Sequence, residues 1–559
     1  MQGLAGRRGL WTANQQHQGE IRMDAAILGR FCALLITAFG AVAPAMAWVV
    51  GPDGWTQLTA SPDTRRVYVS SSQGSDANSG LDSAHPKQSI AAGISLLRDG
   101  YPDWLLLRAG DVWTAPVTDF QKGGRSADEP LVVTSYGGGP GLDRPHIVVP
   151  QGVDGFSAHH WGTTVSHLAV TDLWLTAEGP GAVGFSWLGA WNNVLFENCR
   201  SEGFTCNMLC QGAESVAQAA PSDPAEMTNI TARRCTVADA HSVGSSHAQG
   251  MMWVGIVGGL LEECWFINNG WGSPEVEWYS VGLYGQGSNR NLTIAGCGFA
   301  LSAAEGCMAR SGGDIRGNLF ADNAINLELG YPSVAGVTAS GTVTGNVAIG
   351  GHDVGGQSRG GGFSVKDAAN LSISGNLIAH QSSGSRGGGT GNIVGIDIAA
   401  DQPETVNVTG NIVYDWKGPY SVAYSATPGV SQSGNDFELP ASTYPDPSRT
   451  MQGYATAMGY TLDGYYAAAR GQSRDAWRAE LGPGAAVNWL MAGFGRGAPQ
   501  ACYADCNGDG SRNTADFTCF LQKYAAADPW ANCDASVVAP VVNTADFTCF
   551  LQRYSAGCP

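Results

Sequence analysis

The sequence predicts an all-β solenoid, followed by a short helical segment and a small α-helical calcium-binding module. Three observations lead there. A short phrase recurs through the middle of the chain. Glycine is abundant, 78 of 559 residues, while charged residues reach only 14%. A calcium-loop pattern stands near the C-terminus, and the helix that follows it returns 30 residues later. The recurring phrase, from about residue 150 to 420, is polar–apolar alternation, a small residue, Cys or Asn, then two or three apolar residues, as in VLFENCR, LEECWFI, DIRGNLFA and LSISGNLIA. Its pivots are Cys199, Cys235, Cys264, Cys297, Asn318, Asn346, Asn376 and Asn411, spaced 21 to 36 residues apart. Alternation of period two gives short strands, and Gly-Asn gives the bend between them. A variable period above a floor describes coils carrying loop insertions. Stacking such coils aligns the pivots in an internal ladder of Asn amides and Cys side chains. The four Cys pivots lack any C-x-x-C spacing and read as small buried residues rather than metal ligands. Cys206 and Cys210, in one insertion, are a candidate pair.

Ahead of the coils, the segment AAILGRFCALLITAFGAVAPAMA ends at Ala47. Arg22 and Arg30 precede its most apolar stretch, and Ala45-Met46-Ala47 closes it. That is the order of a secretory signal. Residues 1–47 are therefore expected to be removed, with Met23 an alternative start, and the stretch from Phe31 to Ala43 is short for a membrane span. Export to the extracellular space or cell surface permits disulfides. A net charge of −18 excludes nucleic acid as a main partner, and 43% hydrophobic residues exclude general disorder. No second apolar stretch is long enough to span a bilayer.

With its opening VYVSSSQGSDANSG, an amphipathic SIAAGISLLRDG and then DWLLLRAGDVW, the domain 48–430 resembles, over roughly residues 66–430, the right-handed parallel β-helix superfamily of pectate-lyase-like and alginate- or chondroitin-lyase-like proteins. The resemblance implies that a helix from the amphipathic segment caps the first coil and covers a sheet edge. It further implies action on polysaccharide. Hydrolases of this architecture use clustered Asp residues, but the chain has no Asp-Asp pair and no Gly-His-Gly. Lyases act on uronates by β-elimination: Ca²⁺ or Arg neutralises the sugar carboxylate while Lys, Arg, His or Tyr removes the C5 proton. The pectate-lyase motifs around the catalytic Arg are absent as well.

Superposing EGCMARSGG, NAINLELG and GGFSVKD stacks Arg310, Glu328 and Lys366 on three successive coils, with Tyr284 and Gln286 near the same face as substrate-binding residues. Alternation turns these side chains outward while Cys307, Ala309, Ile325 and Leu327 point inward. This +, −, + row resembles the paired Lys and Arg of chondroitinase-B-like lyases, which implies a catalytic role; its other reading is a surface ion-pair ladder. SSHAQGMMW adds His247 as a second candidate base and Gln249 as a binding residue.

Past the coils, residues 431–498 shift to helical spacing in SRTMQGYATAMGY and TLDGYYAAARGQSRDAWRAEL, with Ser448 and Thr461 as candidate N-caps. These helices are expected to cap the final coil. Residues 499–559 form the last domain. DCNGDGSRNTAD offers oxygen ligands Asp505, Asn507, Asp509, Asn513 and Asp516, with Gly510 at the sharp turn of a calcium loop. NTADFTCFLQRY then repeats the following helix. The duplicated half-EF-hand resembles a dockerin of the Cys-bearing type ending in Gly-Cys, which implies bound Ca²⁺ and a cohesin-like or cell-surface partner. The second loop has lost the Gly; Asn532, Asp534, Ser536, Asn543 and Asp546 remain as ligand candidates. The repeat suggests disulfides Cys506–Cys519 and Cys533–Cys549, with Cys502–Cys558 clasping the ends, one among many connectivities that six cysteines allow.

The whole reads as a secreted polysaccharide-active protein, a lyase-like enzyme on uronate glycan carried on a dockerin-like module. The alternative is a non-catalytic glycan-binding or adhesion protein.

Overall fold

The computed structural model describes residues 48–496, apart from 52, 139–142, 213–226, 245–246, 274–279, 331–337, 354–359, 382–393, 399–403 and 423–428, together with 506, 514–525, 531, 533 and 542–556. The expected signal segment, residues 1–47, lies outside the described residues.

Most coils contribute up to three short strands, and each pairs in parallel with its counterpart one coil on. Three long ladders result, with one further short pairing of His241–Val243 and Trp271–Ser273, so the chain is a parallel β-helix. The first ladder runs from Phe156–Thr171 and Val183–Glu197 through Cys206–Gln211, Gln249–Val254, Leu283–Gly285, Glu305–Ala309, Ile325–Leu329, Gly361–Val365 and Val394–Ile398 to Gly418–Val422. The second starts at Arg66–Val69 and Trp104–Arg108 and ends at Val430–Ser433. The third, from Val112–Trp113 to Asp436–Phe437, has 12 strands. Phe156–Thr171 and Val183–Glu197 are long enough to turn a corner and serve two ladders, with an irregularity between His160 and Val165. Strands persist to Phe437, past residue 430 where the alternation fades in the sequence.

The pivots form the expected internal file. Each Asn donates its backbone N–H and its Nδ2 to the Oδ1 of the next Asn, from Asn318 through Asn346, Asn376 and Asn411 to Asn435, at 2.8–3.0 Å. Asn435 extends the file by one coil beyond the phrase visible in the sequence. The Cys coils replace the amide with a thiol donating to a backbone carbonyl, as Cys264 Sγ does to Ala232 O at 3.3 Å. The residue before each pivot is left-handed: Gly296, Gly317, Gly345 and Gly375 at φ 61–63°, but Asn198, Arg234 and Glu263 before the first three Cys pivots. Glycine takes this conformation without a Cβ penalty, which accounts for the Gly-Asn pairs.

Cys206 and Cys210 remain free and buried. They stand four residues apart on one strand, about 13 Å along it, too far to bridge. Burial pushes the Cys206 thiol up to about 12.

Helix Ile90–Leu96, capped by Ser89, adds Ile90 to the core beside Val67, Val69 and Leu105 on the first coil. The C-terminal helices Met451–Ala457, Leu462–Arg470 and Pro483–Gly493 lie elsewhere than expected. They cover the outer side of the third ladder rather than the end of the last coil, burying Trp265, Leu319, Val347, Leu377 and Ile412 under Tyr454, Tyr465, Leu490 and Met491. The reason is compositional: strands such as Leu319–Ala321 and Val347–Ile349 are apolar on both faces and need cover on both. Thr461 caps its helix as expected, but Thr450, not Ser448, caps the first one; Ser448 bonds Asp446 instead. Trp48 fills an apolar patch of Val132, Ala169 and Leu195 on the outer side of the second ladder. Among the described residues, no helix is long and apolar enough to cross a membrane.

Candidate functional site

On the first ladder, strand alternation sends Cys307, Ala309, Leu327, Leu329, Phe363 and Val365 into the core. The residues between them face outward. The register there aligns Tyr284, Met308, Glu328, Ser364 and Asp397 in one outward file. Two residues further along, the second outward file reads Gln286, Arg310, Gly330 and Lys366. The expected stacking of Glu328 between Arg310 and Lys366 is thus corrected. Leu327 pairs with Cys307, so Glu328 falls opposite Met308, and a shift of two residues keeps the same face while changing the file. Coils rise by about 4.8 Å, which sets the Arg310 and Lys366 backbones about 10 Å apart. Gly330 lies between them at φ +80°, where a Cβ would meet the Asp367 carbonyl oxygen at 2.1 Å. Only glycine fits, and the place between the two cations carries no side chain.

The cations are held differently. Arg310 is 5% exposed, donates to Gln286 Oε1 at 2.8 Å, and lies 4.7 Å over the Tyr284 ring. Tyr284 and Gln286 therefore fix the guanidinium. Lys366 is more open, and its Nζ lies 3.9 Å from Glu328 Oε2. Asp397, absent from the expected set, joins Glu328 as a buried carboxylate on the same file. Its place is readable only once the register is known. The arrangement presents a fixed, low-exposure guanidinium, a part-exposed ammonium and two carboxylates, a set that can pair with an acidic group and stabilise charge developing beside it.

The remaining candidates fall apart from this group. His247 is exposed and precedes Gln249–Val254, two coils before Arg310. Gln249 shares the parity of the core residues Met251 and Trp253, so it does not face outward with Tyr284; this expectation is corrected by strand alternation.

In the C-terminal module, helices Thr514–Ala525 and Thr544–Ala556 stack Phe520 on Phe550 at 3.9 Å between ring centres. Disulfides Cys506–Cys519 and Cys533–Cys549 each span 5.8 Å between Cα atoms. Cys502, Cys558, Asp505, Asn507, Asp509, Asn513, Asn532, Asp534 and Ser536 lie outside the described residues. Asp516 and Asp546, each the third residue of its helix, are fully buried. Asn543 Oδ1 accepts from Ala545 N–H while Asp546 Oδ2 accepts from Asn543 N–H, both at 2.8 Å, a reciprocal helix cap. Among the described residues no three His, Cys, Asp or Glu side chains gather as a metal site; the other expected calcium ligands lie outside them.

The chain matches no protein-family model, and no curated protein matches it significantly. Among solved structures it is similar to pectate lyase Pel9A, at 15% identity over 73% of this chain and 87% of that one, with a TM-score of 0.38. A rhamnogalacturonan lyase is similar at 13% identity over 68% and 90%, with a TM-score of 0.34. An alginate lyase from Paenibacillus sp. FPU-7 is similar at 14% identity over 67% and 95%, with a TM-score of 0.29. At these scores the likenesses bear on neither substrate nor chemistry.

Proposed function

We propose that the protein is a secreted polysaccharide lyase acting on uronate-containing glycan, carried on a calcium-binding, dockerin-like C-terminal module. The observation that carries the reading is Arg310, held by Gln286 and Tyr284, set one glycine away from Lys366 on an outward face. In β-elimination the C5 proton leaves to a base, the C4–O bond breaks, and the departing oxygen takes up a proton. Negative charge grows on the uronate carboxylate side as this happens. Arg310 supplies the opposing charge, Lys366 is the first candidate to take the C5 proton, and Glu328 orients Lys366. His247 is the next candidate for the base. The module's duplicated helices, with their two disulfides, support attachment to a cohesin-like or cell-surface partner.

The test is incubation of the purified protein with alginate, polygalacturonate, chondroitin and neutral glycans, followed by ultraviolet absorbance of unsaturated products. Absorbance growing on an acidic glycan supports the reading. No product from any of them turns the face into a binding surface, leaving the chain a non-catalytic glycan-binding protein.

A further inference from the structure

The outer face of the first ladder divides into two halves. Before Arg310 the outward file reads Leu209, Met252, Tyr284 and Met308, aligned coil by coil. Leu209, Met252 and Tyr284 are part exposed. The neighbouring file over those coils is Gln211, Val254 and Gln286, again without charge. Among the described residues from Leu209 onward, the charge on these two files follows, in Arg310, Glu328, Lys366 and Asp397.

This asymmetry has a consequence for a polymer lying along the helix axis. One sugar advances an extended glycan by close to the ~4.8 Å rise of a coil. A homopolyuronate would therefore set a carboxylate over nearly every coil. Beside Leu209 and Met252 each would lose water with no counter-charge in return. A neutral sugar instead presents an apolar ring face that Tyr and Met side chains accept. We infer that the face selects a mixed glycan, with one uronate seated between Arg310 and Lys366 and neutral sugars over Tyr284 and Met252. The inference rests on the reading of this face as a glycan site.

Affinity electrophoresis of the full chain tests it, with gellan, in which glucuronate recurs among neutral sugars, against polygalacturonate and alginate. Gellan is expected to retard the protein at concentrations roughly tenfold lower or more, a difference of about 1.4 kcal/mol. Met252→Lys, at a part-exposed place, is expected to raise affinity for polygalacturonate and narrow that gap at unchanged melting temperature. Equal or tighter binding of the homopolyuronates overturns the inference while leaving the face a glycan site. Retention by none of the acidic glycans removes the glycan reading itself, and the inference with it.

Discussion

The Glu328 carboxylate reaches the Lys366 ammonium at 3.9 Å on a diagonal, because Glu328 stacks against Ser364 and Lys366 lies two residues beyond. Between the two cations stands Gly330, against which the Asp367 backbone packs. Lys366 keeps 22% of its side-chain surface but Glu328 only 11%, so removing Lys366 takes a cation from a buried carboxylate, at a cost of about 1–3 kcal/mol. Loss of one preorganised charge in a reacting site typically costs about 10²–10³ in rate. Lys366→Ala is therefore expected to melt somewhat below the parent and, while still folded, to release unsaturated products about 10²–10³-fold more slowly. A parent that is active and a variant that matches it would place the chemistry elsewhere.

Arg310 differs in being buried. Arg310→Ala removes one of two donors to Gln286 Oε1, Gly287 N–H at 3.1 Å being the other, and a buried hydrogen bond from a charged group is typically worth about 1.5–3 kcal/mol. Both activity and melting temperature are expected to fall. Arg310→Lys keeps the charge but loses the planar fork that bonds Gln286 while stacking on Tyr284. It should recover part of the stability and less of the rate, read by calorimetry and product absorbance on the same preparation.

The Asn file makes a sharper demand on folding. Asn346 Oδ1 accepts two bonds from Asn318, and its Nδ2 donates to both Ile315 O and Asn376 Oδ1. Asn346→Ala orphans several buried groups at once and is expected to destabilise by about 3 kcal/mol or more, at about 1–3 kcal/mol for each unsatisfied group. Cys264→Ala removes one weak thiol bond and a small volume, and should cost much less. Urea titration of the two variants checks the contrast; similar midpoints would show that the amide file is not what holds successive coils.

How much of this was legible follows from what is local. Pivots, short strands and the αL glycines were readable because each coil repeats the same local problem. The file of Glu328 was not, because it depends on register, which is set by pairing across sequence gaps filled with loops. The C-terminal helices illustrate the same limit: their amphipathic spacing was visible, but the partner face, outward Trp265 to Ile412, is scattered over many coils. Glu197 is a further case. Its fully buried carboxylate accepts from Thr56 N–H at 3.0 Å and Arg474 Nη2 at 2.8 Å, residues 141 and 277 positions away. Nothing near Glu197 in the sequence announces that it ties both ends of the domain to the second ladder.

Two histidines give the fold a pH dependence of definite sign. Burial holds the His146 imidazole, stacked on Trp174 at 3.8 Å, below its usual range, and burial does the same to His167. The unfolded chain then binds protons that the folded chain refuses. Their contribution is complete above the ordinary value near ~6.5 and is lost as pH falls through it toward the lower folded values. Unfolding free energy should decline from about pH 7.5 to about pH 5.5 across that window. His146→Gln with His167→Asn, the latter suited to the left-handed backbone at φ 64°, should flatten the decline. An equally steep variant would assign it to other groups.

The two halves of the C-terminal module should respond differently to a cation. Ligand binding to the folded state alone adds about 2.7 kcal/mol at a hundredfold excess over Kd. Chelation by EDTA is therefore expected to lower the melting transition of the helical module in the full chain, followed at the helical band of circular dichroism, and to leave the β-helix transition in place. Asp516 closes the loop that keeps its sharp-turn glycine, Gly510, so Asp516→Ala should matter with calcium present and little after chelation. Asp546 also caps its helix by accepting from Asn543 N–H, a bond that needs no metal and is typically worth about 1 kcal/mol. Asp546→Ala should therefore destabilise both with and without EDTA. A module whose melting ignores chelation altogether would leave Asp516 a buried capping group and calcium no part of the fold.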